Sequence, residues 1–277
     1  MGDIAVTHHY LFWQAVKVLI DSTGHANIST GLAFVKVDEK RQRSINYKSR
    51  RQSIKKVSKR ASCLSLILSL AIFNAGSVSA DSKQATYKLE ISVEWSASTA
   101  PFEFPEEAAH LSSLVGLTHT DQISLFVDGE TASSGLELVA ENGRAGILKA
   151  QIEEWMRKDR VGALVEADGI KSVPGNISTT FKTTVDHPLL SVITMVAPSP
   201  DWFTGVSAVR LYSDDGWVDT IELPLWVWDA GTDSGNTFFA KNADTQPHES
   251  IRLLATSHFF NSDGLIKLGT ITIERNR

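Results

Sequence analysis

The chain has 277 residues, 42% hydrophobic, 21% charged and 8% aromatic, a globular composition that excludes a disordered or collagen-like polymer. Its charge is divided: residues 1–80 hold 12 Lys and Arg against 4 acids, a net of +8, and residues 81–277 hold 15 against 28, a net of −13. A folded part that acidic lacks the basic surface needed to neutralise a phosphate backbone, so nucleic acid is excluded as a partner.

The first element in chain order is a leader. Leu64 to Ala75 is apolar for about a dozen residues, where a spanning helix needs roughly 20. Arg50, Arg51, Lys55, Lys56, Lys59 and Arg60 crowd its N-terminal side, and Val78 and Ala80 supply the small residues a signal peptidase requires. Residues 49–80 are therefore expected to be a signal peptide cut after Ala80, leaving a secreted or periplasmic protein that begins at Asp81. Arg50-Arg51 partly matches the twin-arginine export pattern, with Ser53 where a Phe is usual. Residues 1–48 precede any normal leader start and are expected to be an extension that is not translated. The single cysteine, Cys63, lies ahead of the apolar stretch. The mature segment therefore has no thiol, which excludes disulfides, cysteine zinc sites and a cysteine nucleophile.

Beyond Asp81 the pattern has period two with β-branched residues, the mark of half-buried strands. Residues 87–95 alternate without a break, and further strands are expected at 122–127, 161–166, 178–185, 189–197, 206–212, 218–228 and 265–274, separated by turn-forming clusters. One helix is expected from about Ala145 to Lys158, where Ile147, Leu148, Ile152, Trp155 and Met156 recur at helical spacing and would pack on a sheet. About eight strands and one short helix make an all-β fold, a β-sandwich.

Two strand ends carry carboxylates. The apolar run 187–197 stops at Pro198 and Pro200, which remove two ladder donors and place Asp201 in a loop. Ile221 to Trp228 ends likewise in Asp229-Ala230-Gly231-Thr232-Asp233-Ser234-Gly235. Spacing alone leaves two readings open: cation ligands, or Asx caps of turns.

The motifs Pro198-Ser199-Pro200-Asp201-Trp202 and Asp229 to Gly235 resemble the hallmarks of the spondin N-terminal domain family, of the F-spondin and mindin type. Trp95, Phe102-Glu103-Phe104-Pro105, His110, Ser112, His119, the Ala132 to Gly135 turn and the Glu141-Asn142-Gly143 turn fall in the family's order, so the likeness covers nearly all of 85–255. It implies a C2-like antiparallel sandwich in an extracellular adhesion or recognition protein. It also implies a divalent cation, calcium by expectation, held by Asp201, Asp229 and Asp233. Calcium takes six to eight oxygens, which three carboxylates, loop carbonyls and water can supply. Asp186 would stand at the far end of its strand and is not assigned to the site.

The partner is expected to be an extracellular protein or glycan, with a membrane surface engaged only through a bridging cation, and the chain is expected to be a monomer. The aromatics Trp202, Phe203, Trp217, Trp226 and Trp228 are expected mainly in the core. No catalytic motif stands out, so no enzyme activity is expected. The alternatives are a structural envelope protein without a metal site, and a hydrolase that would need His119 and Asp121 brought to Ser112. The scattered histidines, His110, His119, His187, His248 and His258, are expected to be structural. N-terminal sequencing of the protein from its native host should read Asp81 first, and peptides from residues 1–40 would refute the late start.

Overall fold

The computed structural model describes residues 17–20, 26–29 and 82–276. The expected signal peptide, its expected cleavage point after Ala80 and the expected extension 1–48, apart from the two short strands below, lie outside these residues. The chain divides into two compact units, Met1–Phe73 and Asn74–Arg277. In the first, Lys17–Ile20 pairs antiparallel with Ala26–Ser29. The second carries the sandwich.

Two antiparallel sheets, of four and seven strands, form the sandwich. In chain order the strands are β1 (Gln84–Val93), β2 (His110–Leu111), β3 (Leu114–His119), β4 (Val161–Ala167), β5 (Gly175–Thr184), β6 (Leu189–Ala197), β7 (Trp202–Arg210), β8 (Thr220–Leu225), β9 (Val227–Asp229), β10 (Arg252–Leu253) and β11 (Gly269–Asn276). The first sheet has the order β8-β11-β1-β5; the second runs β10-β9-β7-β6-β3-β4, with β2 also paired to β6. Short hairpins join Tyr212–Ser213 to Gly216–Trp217 and Phe260–Asn261 to Gly264–Leu265.

Burial explains the pattern of each sheet. In β1, Tyr87, Leu89, Ile91 and Val93 are buried while the residues between them are exposed or half-buried, because only one face of the first sheet meets the core. These side chains pack with Ile177 and Phe181 of β5 and Ile271 and Ile273 of β11 against Leu190, Val192, Val196 and Val206 of the second sheet. The other face of that second sheet is covered as well. Val115, Leu117, Ile193 and Phe203 pack there against Leu136, Val139, Leu148 and Ile152 from two helices. All nine residues of β6 are consequently buried.

The helical layer holds two helices rather than the one expected. Helix α1 (Ser134–Asn142) precedes α2 (Gly146–Arg157). The segments that resemble turns are the two ends of α1: Ser133 Oγ accepts a hydrogen bond from Leu136 N at 3.2 Å, and Gly143, at φ +64°, closes the helix in the left-handed conformation. The stripe on α2 is narrower than its spacing suggests, with Leu148 and Ile152 buried but Ile147 and Met156 exposed. None of the described helices is long and apolar enough to cross a membrane.

Two strand expectations are corrected and one unexpected strand is added. Residues 122–127 form no strand; they are a loop whose Ile123, Leu125 and Phe126 enter the helix-side core. Leu114–His119 is a strand that the sequence did not announce, since all six residues are buried and no alternation survives. The single strand expected over 218–228 divides at Trp226. Leu225 pairs with Gly269 in the first sheet, and Val227 pairs with Thr204 in the second. Pro224 is tolerated because β8 is an edge strand.

Leu190 is fully buried between the sheets, so Leu190→Ala should cost about 2–5 kcal/mol. Ser133→Ala removes one cap and should cost about 1 kcal/mol. Urea denaturation measures both, and equal losses would show that the helical layer is as critical as the central core.

Candidate metal centre

The cross-strand pairing that ends the second sheet assembles the carboxylates. Trp202, the first residue of β7, stands opposite Asp229, the last of β9, so Asp201 and the loop after Asp229 begin side by side. Ala230 N donates to Asp201 O at 3.2 Å. Aromatic packing fixes both loops from below. Trp202 is fully buried, and Phe238, from the loop after Asp233, meets it edge-on at 5.2 Å.

All three predicted ligand residues stand at this end of the sandwich and are buried: Asp201 is 0% exposed, Asp229 8% and Asp233 5%. Asp201 Oδ2 accepts from Thr232 N at 2.8 Å and Asp233 N at 3.1 Å, with the Thr232 hydroxyl at 3.4 Å. Asp229 Oδ1 accepts from Gly231 N at 2.8 Å, and its Oδ2 meets Arg252 Nη2 at 3.2 Å. Asp233 Oδ1 accepts from Gly235 N at 2.7 Å and Oδ2 from Ala243 N at 2.6 Å. Gly231 is required here. Its φ is +73°, and a Cβ would stand 2.5 Å from the Glu249 carbonyl oxygen.

These bonds give the turn-capping reading its due, yet they leave one atom unexplained. Asp201 Oδ1 is buried with no hydrogen-bond partner. A buried carboxylate oxygen without a donor is costly. Burial first, and the neighbouring Asp229 charge second, push the Asp201 carboxyl up to about 6. Burial also raises Asp229, although Arg252 and the Gly231 N–H pull the other way. A cation placed against Asp201 Oδ1 would relieve both the missing partner and the repulsion. The set is composed of hard oxygens, with second lone pairs left on oxygens that already accept one N–H, and this suits calcium or magnesium better than a softer metal. Asp201 Oδ1 and the donor chemistry suit such an ion, but the ligand oxygens of the three aspartates do not all lie within 4.8 Å of one another, so an ion would have to draw the two loops together.

Several residues at this end were not found from sequence. Glu141, in the last turn of α1, stands beside the Thr232 side chain; burial raises its pKa and the charges of Glu137, Asp233 and Asp244 add to the effect, while Thr232 pulls it down. Arg252 spans Asp229 and Glu249. The Ser133 cap and the Gly143 stop would have revealed α1 and hence Glu141; nothing local in the sequence marks Arg252. The hydrolase constellation is not assembled. His119 Nε2 lies 2.8 Å from Ser191 Oγ, whereas Ser112 Oγ contacts Thr194 Oγ1 and the Met195 N–H. Trp202, Phe203 and Trp217 are buried, and Trp226 and Trp228 are half-buried.

The chain is similar to known proteins over most of its described residues. A family model described as Spondin_N matches residues 85–264. Spondin-1 of Gallus gallus is 34% identical over 208 residues, 69% of this chain and 25% of that protein. Human Spondin-1 is 33% identical over the same length. Spondin-2 of Rattus norvegicus is 33% identical over 176 residues, 62% of this chain and 53% of that protein. The chain thus spans about a quarter of the Spondin-1 proteins and about half of Spondin-2.

The raised Asp201 pKa makes a signed prediction for the protein held in chelator. Its folded carboxyl keeps a proton up to about pH 6, whereas the unfolded one releases it near 3.8. Its contribution to stability is therefore complete below about pH 3.8 and is lost as pH rises through 6, at no more than about 1.4 kcal/mol per unit. Asp229 and Glu141, whose carboxyls burial also raises, act with this decline, whereas Arg252 beside Asp229 and Thr232 beside Glu141 act against it. Urea unfolding from pH 4 to 7 should show wild type losing stability relative to Asp201→Asn; a constant difference would mean that Asp201 is ionised throughout.

Proposed function

Because the chain belongs to the spondin N-terminal domain family, we propose that its sandwich is an exported recognition or adhesion module whose strand-end loops hold a divalent cation, calcium by donor type, through Asp201, Asp229 and Asp233. The observation that carries this reading is the buried, partnerless Asp201 Oδ1 beside two further buried carboxylates. When bound, the ion would supply positive charge at the junction of the two loops and would accept oxygen ligands from both. The chain's own residues do the positioning: Gly231, Thr232 and Gly235 turn the backbone so that their N–H groups orient the three carboxylates.

The family supports the recognition role, since its members named above are spondins, and so does the position of the carboxylates at strand ends and in the loops that adjoin them, where binding residues commonly lie. The partner follows from neither. An extracellular protein or glycan is the proposed class, and attachment to an anionic membrane would require the cation as a bridge because the segment is acidic. The rival reading is a structural envelope protein in which the same aspartates only cap turns.

Thermal unfolding of the full chain with calcium, with magnesium and with chelator separates the two, run beside an Asp229→Ala, Asp233→Ala double variant. A cation that binds only the native state should add about 2.7 kcal/mol at 100 times its dissociation constant. Wild type should gain stability with calcium and the double variant should not. If neither responds, the aspartates are turn caps and the cation reading fails.

A further inference from the structure

A second set of donors stands next to the three aspartates without belonging to them. Glu137 of α1 and Asp244 and His248 of the loop that follows Asp233 each bring one ligand atom to within 4.8 Å of the others. Two carboxylates on an acidic surface would signify little by themselves. The imidazole changes the chemistry, because a nitrogen donor joined to two carboxylates is a borderline set that hard cations do not require.

The contacts inside the set show an excess of acceptors. The Gln246 amide nitrogen lies 3.2 Å from His248 Nε2, 3.2 Å from Asp244 Oδ2 and 3.4 Å from Asp244 Oδ1. An amide NH2 carries two protons and accepts nothing, so three acceptor atoms converge on a group able to serve two. The same contact brings His248 Nε2 to the side of the set where the carboxylates stand. Asp244 Oδ1 is 3.9 Å from that nitrogen. Among the described residues no Lys or Arg forms an ion pair with Glu137 or Asp244. The negative charge of the set is thus uncompensated, and it adds to the raised pKa of neighbouring Glu141.

The three donors also sit on fixed backbone. An antiparallel bridge joins Asp244 to Asp233, Thr245 N donates to Thr232 O at 2.8 Å, and Glu249 N donates to Gly231 O at 2.8 Å. The His248 side chain is 17% exposed, so a metal ion can reach it although little of the ring is solvated. Glu137 is carried by a helix capped at both ends.

We propose that Glu137, Asp244 and His248 form a second cation site, separate from Asp201, Asp229 and Asp233, that takes a zinc-class divalent ion through one imidazole nitrogen and two carboxylate oxygens. Bonds of about 2.1 Å at tetrahedral angles space donors about 3.4 Å apart. From spacings within 4.8 Å the set must therefore close by at most about 1.4 Å, and the Gln246 amide must swing away from the position the ion takes. The fourth position is left to water. The two sites divide by donor hardness, all-oxygen on one side of the Asp233–Asp244 bridge and nitrogen with oxygen on the other.

The test is isothermal titration of the chelator-stripped full chain with zinc chloride, for wild type, His248→Ala, Asp244→Asn, Gln246→Ala and the Asp229→Ala, Asp233→Ala double variant. Residues 1–80 contain His8, His9, His25 and Cys63, so the quantity read is the difference between wild type and His248→Ala at matched thermal stability. One zinc equivalent should be present in wild type and in the double variant. It should weaken at least 10-fold in His248→Ala and Asp244→Asn, the smaller end of the loss seen when even an outer partner of a metal ligand is removed. Gln246→Ala should bind as tightly as wild type or more tightly. The proposal is overturned if His248→Ala keeps the full wild-type isotherm, if wild type shows no equivalent beyond it, or if the equivalent disappears with the double variant. Loss of the calcium response alone would overturn the first site and leave this one standing.

Discussion

Nine consecutive buried residues, Leu189 to Ala197, oblige the chain to supply two apolar surfaces, one on each side of a single strand. The four-stranded sheet supplies one and the helix pair the other. From that requirement follow the position of α1 and α2, the burial of β3 beside β6, and the tightly packed end at which β7 begins. The carboxylate loops inherit their rigidity from it. Asp201 is separated from Ala197 only by Pro198, Ser199 and Pro200, and Trp202 is anchored in the aromatic cluster with Trp95, Phe238 and Phe259.

The legibility of each element in the sequence tracks how many of its faces are dry. β1 was plain because one face is wet, so its side chains alternate. β3 was invisible because both faces are dry and Leu114, Val115, Gly116 and Leu117 show no period. The reading of 122–127 failed in the opposite sense, since buried Ile123 and Leu125 mimic alternation in a loop with no ladder. The break at Trp226 was hidden because a strand passing from one sheet to the other keeps the same alternation on both sides of the crossing. Within the candidate centre, the three aspartates were legible from two motifs at strand ends. Glu137, Glu141, Asp244 and His248 were not, because their proximity depends on a helix that was read as two turns and on a long loop without periodicity.

Charge is handled differently on the two sides of this end of the molecule. Asp229 is answered by Arg252, which also holds Glu249. Asp201 is answered only by neutral N–H and hydroxyl groups on one oxygen and by nothing on the other. Raised carboxyl pKa values at Asp201, Asp229 and Glu141 are the common outcome of gathering acids in a poorly solvated place. The fold stabilises that arrangement with backbone donors from turns, which orient the carboxylates and leave the net charge in place.

The first and last strands of the sandwich are neighbours. Thr86 of β1 pairs with Asn276 of β11, and Val93 pairs with Gly269. Both strands therefore leave the sheet at the same end, and the register puts Leu225, four residues before Asp229, at the other end, about 30 Å along a ten-residue strand. Tension applied through the chain on either side would fall on the β1–β11 ladder as a zipper and would part its hydrogen bonds one pair at a time. The carboxylate end would feel that load last, after the ladder has opened along its whole length.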